Sequence, residues 1–143
     1  MFAEVQINEL KPRMICVADG ALVNGAPVAY TASSAGRKLA KATSDTPYVV
    51  TNAKNFDGIN AIMEQTDAEH EEIADGALCI RVPLELGDLF ATTEVTAGSA
   101  VVGAKFGVAS SGKYAADANG KFVFHGAYEN PWGLNMYTLE YVG

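Results

Sequence analysis

Residues 21–31 read Ala-Leu-Val-Asn-Gly-Ala-Pro-Val-Ala-Tyr-Thr, and this stretch decides the fold class. Two short apolar runs flank Asn24-Gly25, the dipeptide most typical of a tight β-hairpin, because both residues tolerate the positive φ angles of a type I′ turn. The sequence therefore predicts a hairpin turn at Asn24 and Gly25, with residues 26–31 as a strand that follows it.

Outward from this stretch, short apolar runs and turn residues continue to alternate along most of the chain. Further turn signals lie at residues 19–20, 87–88, 111–112 and 119–120, and strands are predicted at residues 5–7, 13–18, 47–51, 78–83, 89–95, 101–108 and 136–142. We expect the strand after Asn119-Gly120 to pair with the strand before it. Turns at a spacing of about ten residues predict a mainly β protein, a single small antiparallel β-barrel or sandwich with one or two short helices.

One segment departs from this pattern. Ile59, Ile62 and Met63 have helical spacing, and Asp57 is a suitable N-cap, so the likeliest place for a helix is within residues 55–72. The acidic segment 64–75 overlaps its end, and its polar part is either an exposed helix or a long surface loop.

Length and charge limit the classes of protein that remain. The chain has 143 residues and a net charge of −7, with no basic stripe, so we expect one domain, a soluble protein and no nucleic-acid partner. The N-terminus lacks the basic and long apolar regions of a signal peptide, and the apolar runs are too short to span a membrane. Residues 1–12 are a possible N-terminal arm, in which Val5 and Ile7 alternate with polar residues, and residues 13–143 form a single β-rich domain.

The two cysteines, Cys16 and Cys79, each lie among apolar residues. We expect both to be buried and reduced, as free cysteines usually are. Arg81 lies two positions after Cys79 and so on the same face of its strand. A reactive Cys79 would need such a positive neighbour in an accessible site, which the apolar surroundings disfavour.

The sequence carries no motif of an enzyme, a cofactor site or a metal site. His70 and His125 are the only histidines, and neither has the further ligands that a zinc site requires. No calcium loop, phosphate loop or nucleophile motif is present. We therefore expect no enzyme activity, no cofactor and no metal. A small enzyme with an unfamiliar site at His125 and Glu129 is the alternative.

Aromatic residues are concentrated in the last part of the chain, and they include Trp132, the only tryptophan. Trp132 lies in residues 128–133, Tyr-Glu-Asn-Pro-Trp-Gly, a loop because Asn-Pro and Gly break regular structure. It either closes one end of a barrel, contacts a protein partner or stacks on a sugar. Since large aromatic side chains are favoured anchors at interfaces, the candidate partner contacts are Val5, Ile7, Tyr128 and Trp132.

Several stretches together resemble the capsid decoration, or cement, proteins of tailed bacteriophages. They are residues 20–28 (Gly-Ala-Leu-Val-Asn-Gly-Ala-Pro-Val), 86–93 (Leu-Gly-Asp-Leu-Phe-Ala-Thr-Thr), 103–108, 112–114 (Gly-Lys-Tyr) and 137–142 (Tyr-Thr-Leu-Glu-Tyr-Val). Size, richness in Ala, Gly, Val and Thr, and poverty in charge and histidine are also similar. The acidic segment 64–75 has no counterpart in this resemblance.

The resemblance implies a structural virion protein, made in the host cytoplasm, that binds the outside of a phage head. Its partners would be the major capsid protein and neighbouring copies of itself, as a homo-oligomer on the capsid surface. Repeated weak contacts on a lattice suit a small rigid body without chemistry. The alternatives are a tail or fibre-attachment component of the virion, and a carbohydrate-binding β module that uses Trp132.

Overall fold

A computed structural model describes residues 1–7, 13–31, 38–52, 72–130 and 133–143. These residues contain strands and no helix, so the expectation of a mainly β protein is confirmed. The strands are β1 (Phe2–Gln6), β2 (Met14–Ala18), β3 (Leu22–Val23), β4 (Val28–Tyr30), β5 (Lys38–Lys41), β6 (Tyr48–Asn52), β7 (Glu72–Ile73), β8 (Leu78–Pro83), β9 (Leu89–Thr92), β10 (Val95–Thr96), β11 (Lys105–Val108), β12 (Tyr114–Ala116), β13 (Phe122–Tyr128) and β14 (Met136–Tyr141).

The larger of the two main sheets has the strand order β1-β9-β14-β13-β11-β12-β10 and is named here the barrel sheet. Only two residues separate β9 from β10, yet these strands are second and last in the order. Because two residues span at most about 11 Å from strand end to strand start, the sheet must curl until its far end returns to β9. The Tyr114 N–H donates to the Glu94 carbonyl where the two ends meet (3.0 Å).

Aromatic side chains fill the interior of the barrel sheet. Phe90, Phe106, Tyr114 and Phe122 are fully buried. The ring centres of Tyr114 and Phe122 lie 4.9 Å apart, and those of Phe90 and Tyr114 lie 5.6 Å apart. On β14, Leu139 is buried, and Tyr137 and Tyr141 pack against the same core.

The second main sheet has the order β4-β5-β2-β8-β6 and is named here the roll. Its two edges meet, because the Gly25 N–H donates to the Val50 carbonyl (2.8 Å), the Val50 N–H donates to the Ala26 carbonyl (3.1 Å), and Pro27 bridges to Val49. Its interior is filled by smaller side chains than the barrel sheet: Cys16, Ala18, Val28, Leu39, Val50 and Cys79. Val49 points the other way, into the aromatic core, and so joins the two sheets.

Two parallel pairings depart from the expected antiparallel pattern. β10 pairs parallel with β12, and β2 pairs parallel with β5. The remaining pairings are antiparallel among the described strands, as predicted.

The predicted hairpin at Asn24-Gly25 is wrong, although a turn is present. The Ala26 N–H donates to the Val23 carbonyl (3.0 Å), and Gly25 has a φ of 91°. The φ of Asn24 is not positive, so the turn has the type II pattern rather than type I′. The strands on either side belong to different sheets: β3 pairs with β7, and β4 pairs with β5.

Close packing explains why this turn leads from one sheet to another. A Cβ atom at Gly25 would lie 2.4 Å from the Thr92 Oγ1 atom and 2.6 Å from the Met1 carbonyl oxygen. The Gly25 carbonyl accepts a hydrogen bond from the Thr92 hydroxyl (2.8 Å). The turn is therefore held between the barrel sheet and the roll instead of projecting from the end of a hairpin.

The pairing predicted across Asn119-Gly120 is also wrong, because β11 lies between β12 and β13. A Cβ atom at Gly120 would lie 1.9 Å from the carbonyl oxygen of Phe106 on β11. The chain thus crosses directly over β11 after the turn, and a glycine is needed there for space.

Of the remaining expectations, the strand at 78–83 is confirmed as β8, whereas the strand predicted at 101–108 begins only at Lys105. The helix predicted within residues 55–72 lies outside the described residues except for Glu72, which is in β7. The same holds for the acidic segment 64–75 up to residue 71.

Candidate partner-binding surface

The described part of the N-terminal arm is not detached from the domain. β1 forms one edge of the barrel sheet and pairs with β9. The N-terminal ammonium group donates to the Asn24 carbonyl (2.9 Å) and to the Thr93 hydroxyl (2.7 Å). Residues 8–12 of the predicted arm lie outside the described residues.

Within β1, Val5 and Ile7 occupy different environments. Glu4 pairs with Phe90 and Gln6 with Leu89, so Val5 is the extra residue of a β-bulge, and its side chain is exposed. Ile7 is half-buried and packs against the aromatic core. A bulge disrupts the regular row of main-chain groups that another strand would need for pairing. Val5 is therefore the more accessible of the two predicted contacts.

Tyr128 is the last residue of β13, is half-buried and lies opposite Met136 on β14. Asn130 is hydrogen-bonded to Leu134, because its side-chain amide donates to the Leu134 carbonyl (2.8 Å) and accepts from the Leu134 N–H (3.1 Å). Trp132 lies outside the described residues, so its position at a barrel end or at a contact stays a prediction.

Two valines that the sequence analysis assigned to a strand lie instead on an exposed turn. Val101 and Val102 are 71% and 68% exposed. The Ala104 N–H donates to the Val101 carbonyl (3.1 Å), and Gly103 has a φ of 94°, so β11 starts only after this turn. Val102 Cγ2 lies 3.2 Å from the place where a Cβ would stand at Gly126. The exposed turn therefore lies beside β13, two residues before Tyr128.

A second exposed apolar pair lies on the outer face of the roll. Ile15 is 62% exposed and Leu78 is 60% exposed. Ile15 pairs with Ile80, and Val17 pairs with Leu78, so the four side chains share one face of β2 and β8. The sequence could have indicated this exposed face. Because Cys16 was expected to point inward, alternation places Ile15 and Val17 on the outer face of the strand. We name Val101 with Val102 the turn patch and Ile15 with Leu78 the face patch.

The predicted cysteine environment is confirmed. Cys16 and Cys79 face each other across β2 and β8, both are buried, and both remain thiols. Burial, with Cys16 as a second contribution, raises the pKa of Cys79 to about 11. The thiolate is thus scarce near neutral pH, which argues against Cys79 as a nucleophile. Arg81 lies on the same face as Cys79, as the spacing indicated.

The other groups considered for chemistry do not form a catalytic arrangement in the described part of the chain. The His125 Nε2 atom lies 3.3 Å from a Glu140 carboxylate oxygen across β13 and β14, at the protein surface. Its contact is thus Glu140, whereas the sequence suggested Glu129. Outside the undescribed segments, no group of three or more His, Cys, Asp or Glu side chains is placed to hold a metal ion.

Comparisons of the chain with protein-family models, with curated proteins and with solved structures find no match in any of the three. Within the ranges that the structure describes, no helix has the length and apolar character needed to cross a membrane.

Proposed function

We propose that this chain is a structural virion protein that binds the outside of a phage head and bridges neighbouring copies of the major capsid protein. The observation that supports this proposal is the presence of exposed apolar patches on both sheets of one β body. The face patch belongs to the roll, and the turn patch adjoins the barrel sheet.

Exposed valine, isoleucine and leucine side chains gain free energy when a partner covers them, at about 25 cal/mol for each Å² removed from water. A single patch of two side chains gives only a weak contact. Two patches on one body contact two subunits of a repetitive lattice, and the linked contacts reinforce each other. Because the sequence resembles decoration proteins, we take this lattice to be the shell of a phage head.

The experiment measures binding to empty shells assembled from the major capsid protein that is encoded with this chain. Sedimentation of shells with increasing amounts of protein gives affinity and occupancy. We expect saturable binding and a higher melting temperature of the shell when the protein is bound, because ligands that bind only the assembled state stabilise it.

Patch variants test the observation itself. Ile15→Ser with Leu78→Ser, and Val101→Ser with Val102→Ser, should each weaken binding by about tenfold or more, since interface anchors contribute about 2 kcal/mol when buried. Leu86→Ser is the matched control, because Leu86 is equally exposed (71%) and belongs to neither patch. Absence of binding by the wild-type protein, or equal binding by all variants, would contradict the proposal. Binding to purified tails in place of shells would favour the tail alternative.

A further inference from the structure

One end of the roll carries a cluster of side chains around Arg81, in which Met14 and Tyr48 also pack against the core of the roll. Tyr30 is the last residue of β4, Met14 and Tyr48 are the first residues of β2 and β6, and Arg81 is near the end of β8. Arg81 pairs with Met14 on one side and with Val50 on the other, so its side chain lies on the inner face of the roll, at this end.

The Arg81 guanidinium is held by aromatic rings. Its Cζ atom lies 4.9 Å from the centre of the Tyr48 ring and 5.7 Å from the centre of the Tyr30 ring. The Nη1 atom donates to the Tyr30 hydroxyl (2.5 Å), and the two tyrosine rings meet edge to face at 5.5 Å. A guanidinium fixed in this way loses little further side-chain entropy when it binds a ligand.

The positive charge of Arg81 is not neutralised by this arrangement. Within the described residues, its one hydrogen bond is to a neutral hydroxyl, no carboxylate lies within ion-pair distance, and the Nε atom is buried without a partner. Arginine carries five N–H donors. By contrast Arg13, which precedes Met14 in the sequence, is paired with Glu4.

We infer that this end of the roll, centred on Arg81, Tyr30 and Tyr48, is a docking site for an acidic side chain of the protein partner. The complement of a fixed guanidinium is a carboxylate, which binds its fork with two parallel hydrogen bonds. Tyrosine and arginine are also the residues most enriched at interface hot spots. In a chain of net charge −7, a fixed cation that no described carboxylate neutralises favours an Asp or Glu on the surface that it contacts.

This inference rests on the proposed function for the identity of the partner, the shell protein. The test is a cycle in which each side of the contact is neutralised in turn. On the chain, Arg81→Gln removes the charge. On the shells, carbodiimide with glycinamide converts exposed carboxylates to neutral amides. Two groups in contact give a coupling in such a cycle, whereas independent groups give additive effects.

We expect Arg81→Gln to weaken binding to untreated shells by about tenfold or more. Amidation of the shells should weaken the binding of the wild-type protein by a similar factor. The Arg81→Gln variant should bind treated and untreated shells with the same affinity. Arg13→Gln is the matched control: it removes one positive charge from a paired, exposed arginine and should keep the wild-type affinity and the wild-type response to amidation.

Thermal melting of each variant shows whether the roll is intact. Arg81→Lys serves if Arg81→Gln fails to fold, since lysine keeps the charge but not the fork, and it should bind several-fold more weakly than wild type. Equal affinity of wild type and the folded Arg81 variants, or an equal loss for both on amidation, would overturn the inference while leaving the proposed function in place. Failure of the wild-type protein to bind untreated shells would overturn both.

Discussion

The barrel sheet and the roll are both curled around a core, but they fill it with side chains of different size. The first contains the buried rings of Phe90, Phe106, Tyr114 and Phe122. Ring contacts connect Phe90, Tyr114 and Phe122 to one another, and Phe106 stacks on Phe124. The second contains small and medium side chains, with Cys16 and Cys79 facing each other at its centre. Each large ring buries much apolar surface, so the loss of one ring costs much stability. Each small side chain buries less, so its loss costs less.

The largest expected effect comes from removing one ring of the aromatic cluster. Phe122→Ala should lower the free energy of unfolding by about 3–5 kcal/mol, because Phe122 is fully buried and contacts the rings of Phe90, Tyr114 and Tyr141. The matched change in the roll is Leu39→Ala, for which we expect about 2–3 kcal/mol. Urea unfolding measures both. A larger loss for Leu39→Ala would show that the small-residue core is the more tightly packed of the two.

A smaller effect, which depends on pH, should be specific to the roll. The pKa of Cys79 is raised to about 11 in the folded protein, above the value of 9.0 for an unperturbed thiol. Between these values the unfolded chain loses the proton and the folded chain keeps it. The contribution of Cys79 to the free energy of unfolding is therefore fully present below pH 9. It falls as the pH rises toward 11, by up to about 1.4 kcal/mol per pH unit.

Cys79→Ala should flatten this decline, and urea unfolding at several pH values between 8 and about 11 measures it. Cys16→Ala is the partner control: it removes the smaller cause of the raised pKa and should leave most of the decline in place. An unchanged slope in Cys79→Ala would mean that other groups cause the decline.

The smallest expected effect has the opposite sign and belongs to the barrel sheet. The Tyr114 hydroxyl is buried without a hydrogen-bond partner, and burial raises the pKa of Tyr114 well above its usual value, with a further contribution from Asp45. Tyr114→Phe keeps the ring and removes this polar group. It should increase the free energy of unfolding by about 1 kcal/mol. A loss of stability in urea unfolding would indicate that the hydroxyl is hydrogen-bonded in solution.

The two cores also show what the sequence could and could not predict. Alternation placed Arg81 on the same face as Cys79 correctly, because the period of a strand is a local property. Turn residues marked Asn24-Gly25 and Asn119-Gly120 correctly as turns, but the strands that meet across them were wrong. Pairing depends on close approaches between distant segments, such as Gly120 against Phe106 and Gly25 against Thr92, which no local pattern reports.

The candidate surface was predicted less well than the fold. Val5 stays a predicted contact, and its side chain is exposed at a bulge that alternation did not indicate. Val101 and Val102 were assigned to a strand because valine favours strands, while the turn depends on Gly103 and on a hydrogen bond from the Gly103 N–H to Phe124 (2.8 Å). The Arg81 cluster was missed because its tyrosines come from two other strands.

The pairing of β1 with β9 has a consequence for protein synthesis. Met1 and Thr93, which are hydrogen-bonded, stand 92 positions apart in the chain. A ribosome adds about 5–20 residues per second, so the first strand waits roughly 5–20 s for its neighbour. The strands of the roll all precede β9 in the chain, so the roll can close during that interval. β1 stays unpaired until β9 has been made. Until β9 is made, the main-chain groups of β1 can pair with another strand, and the bulge at Val5 limits that pairing.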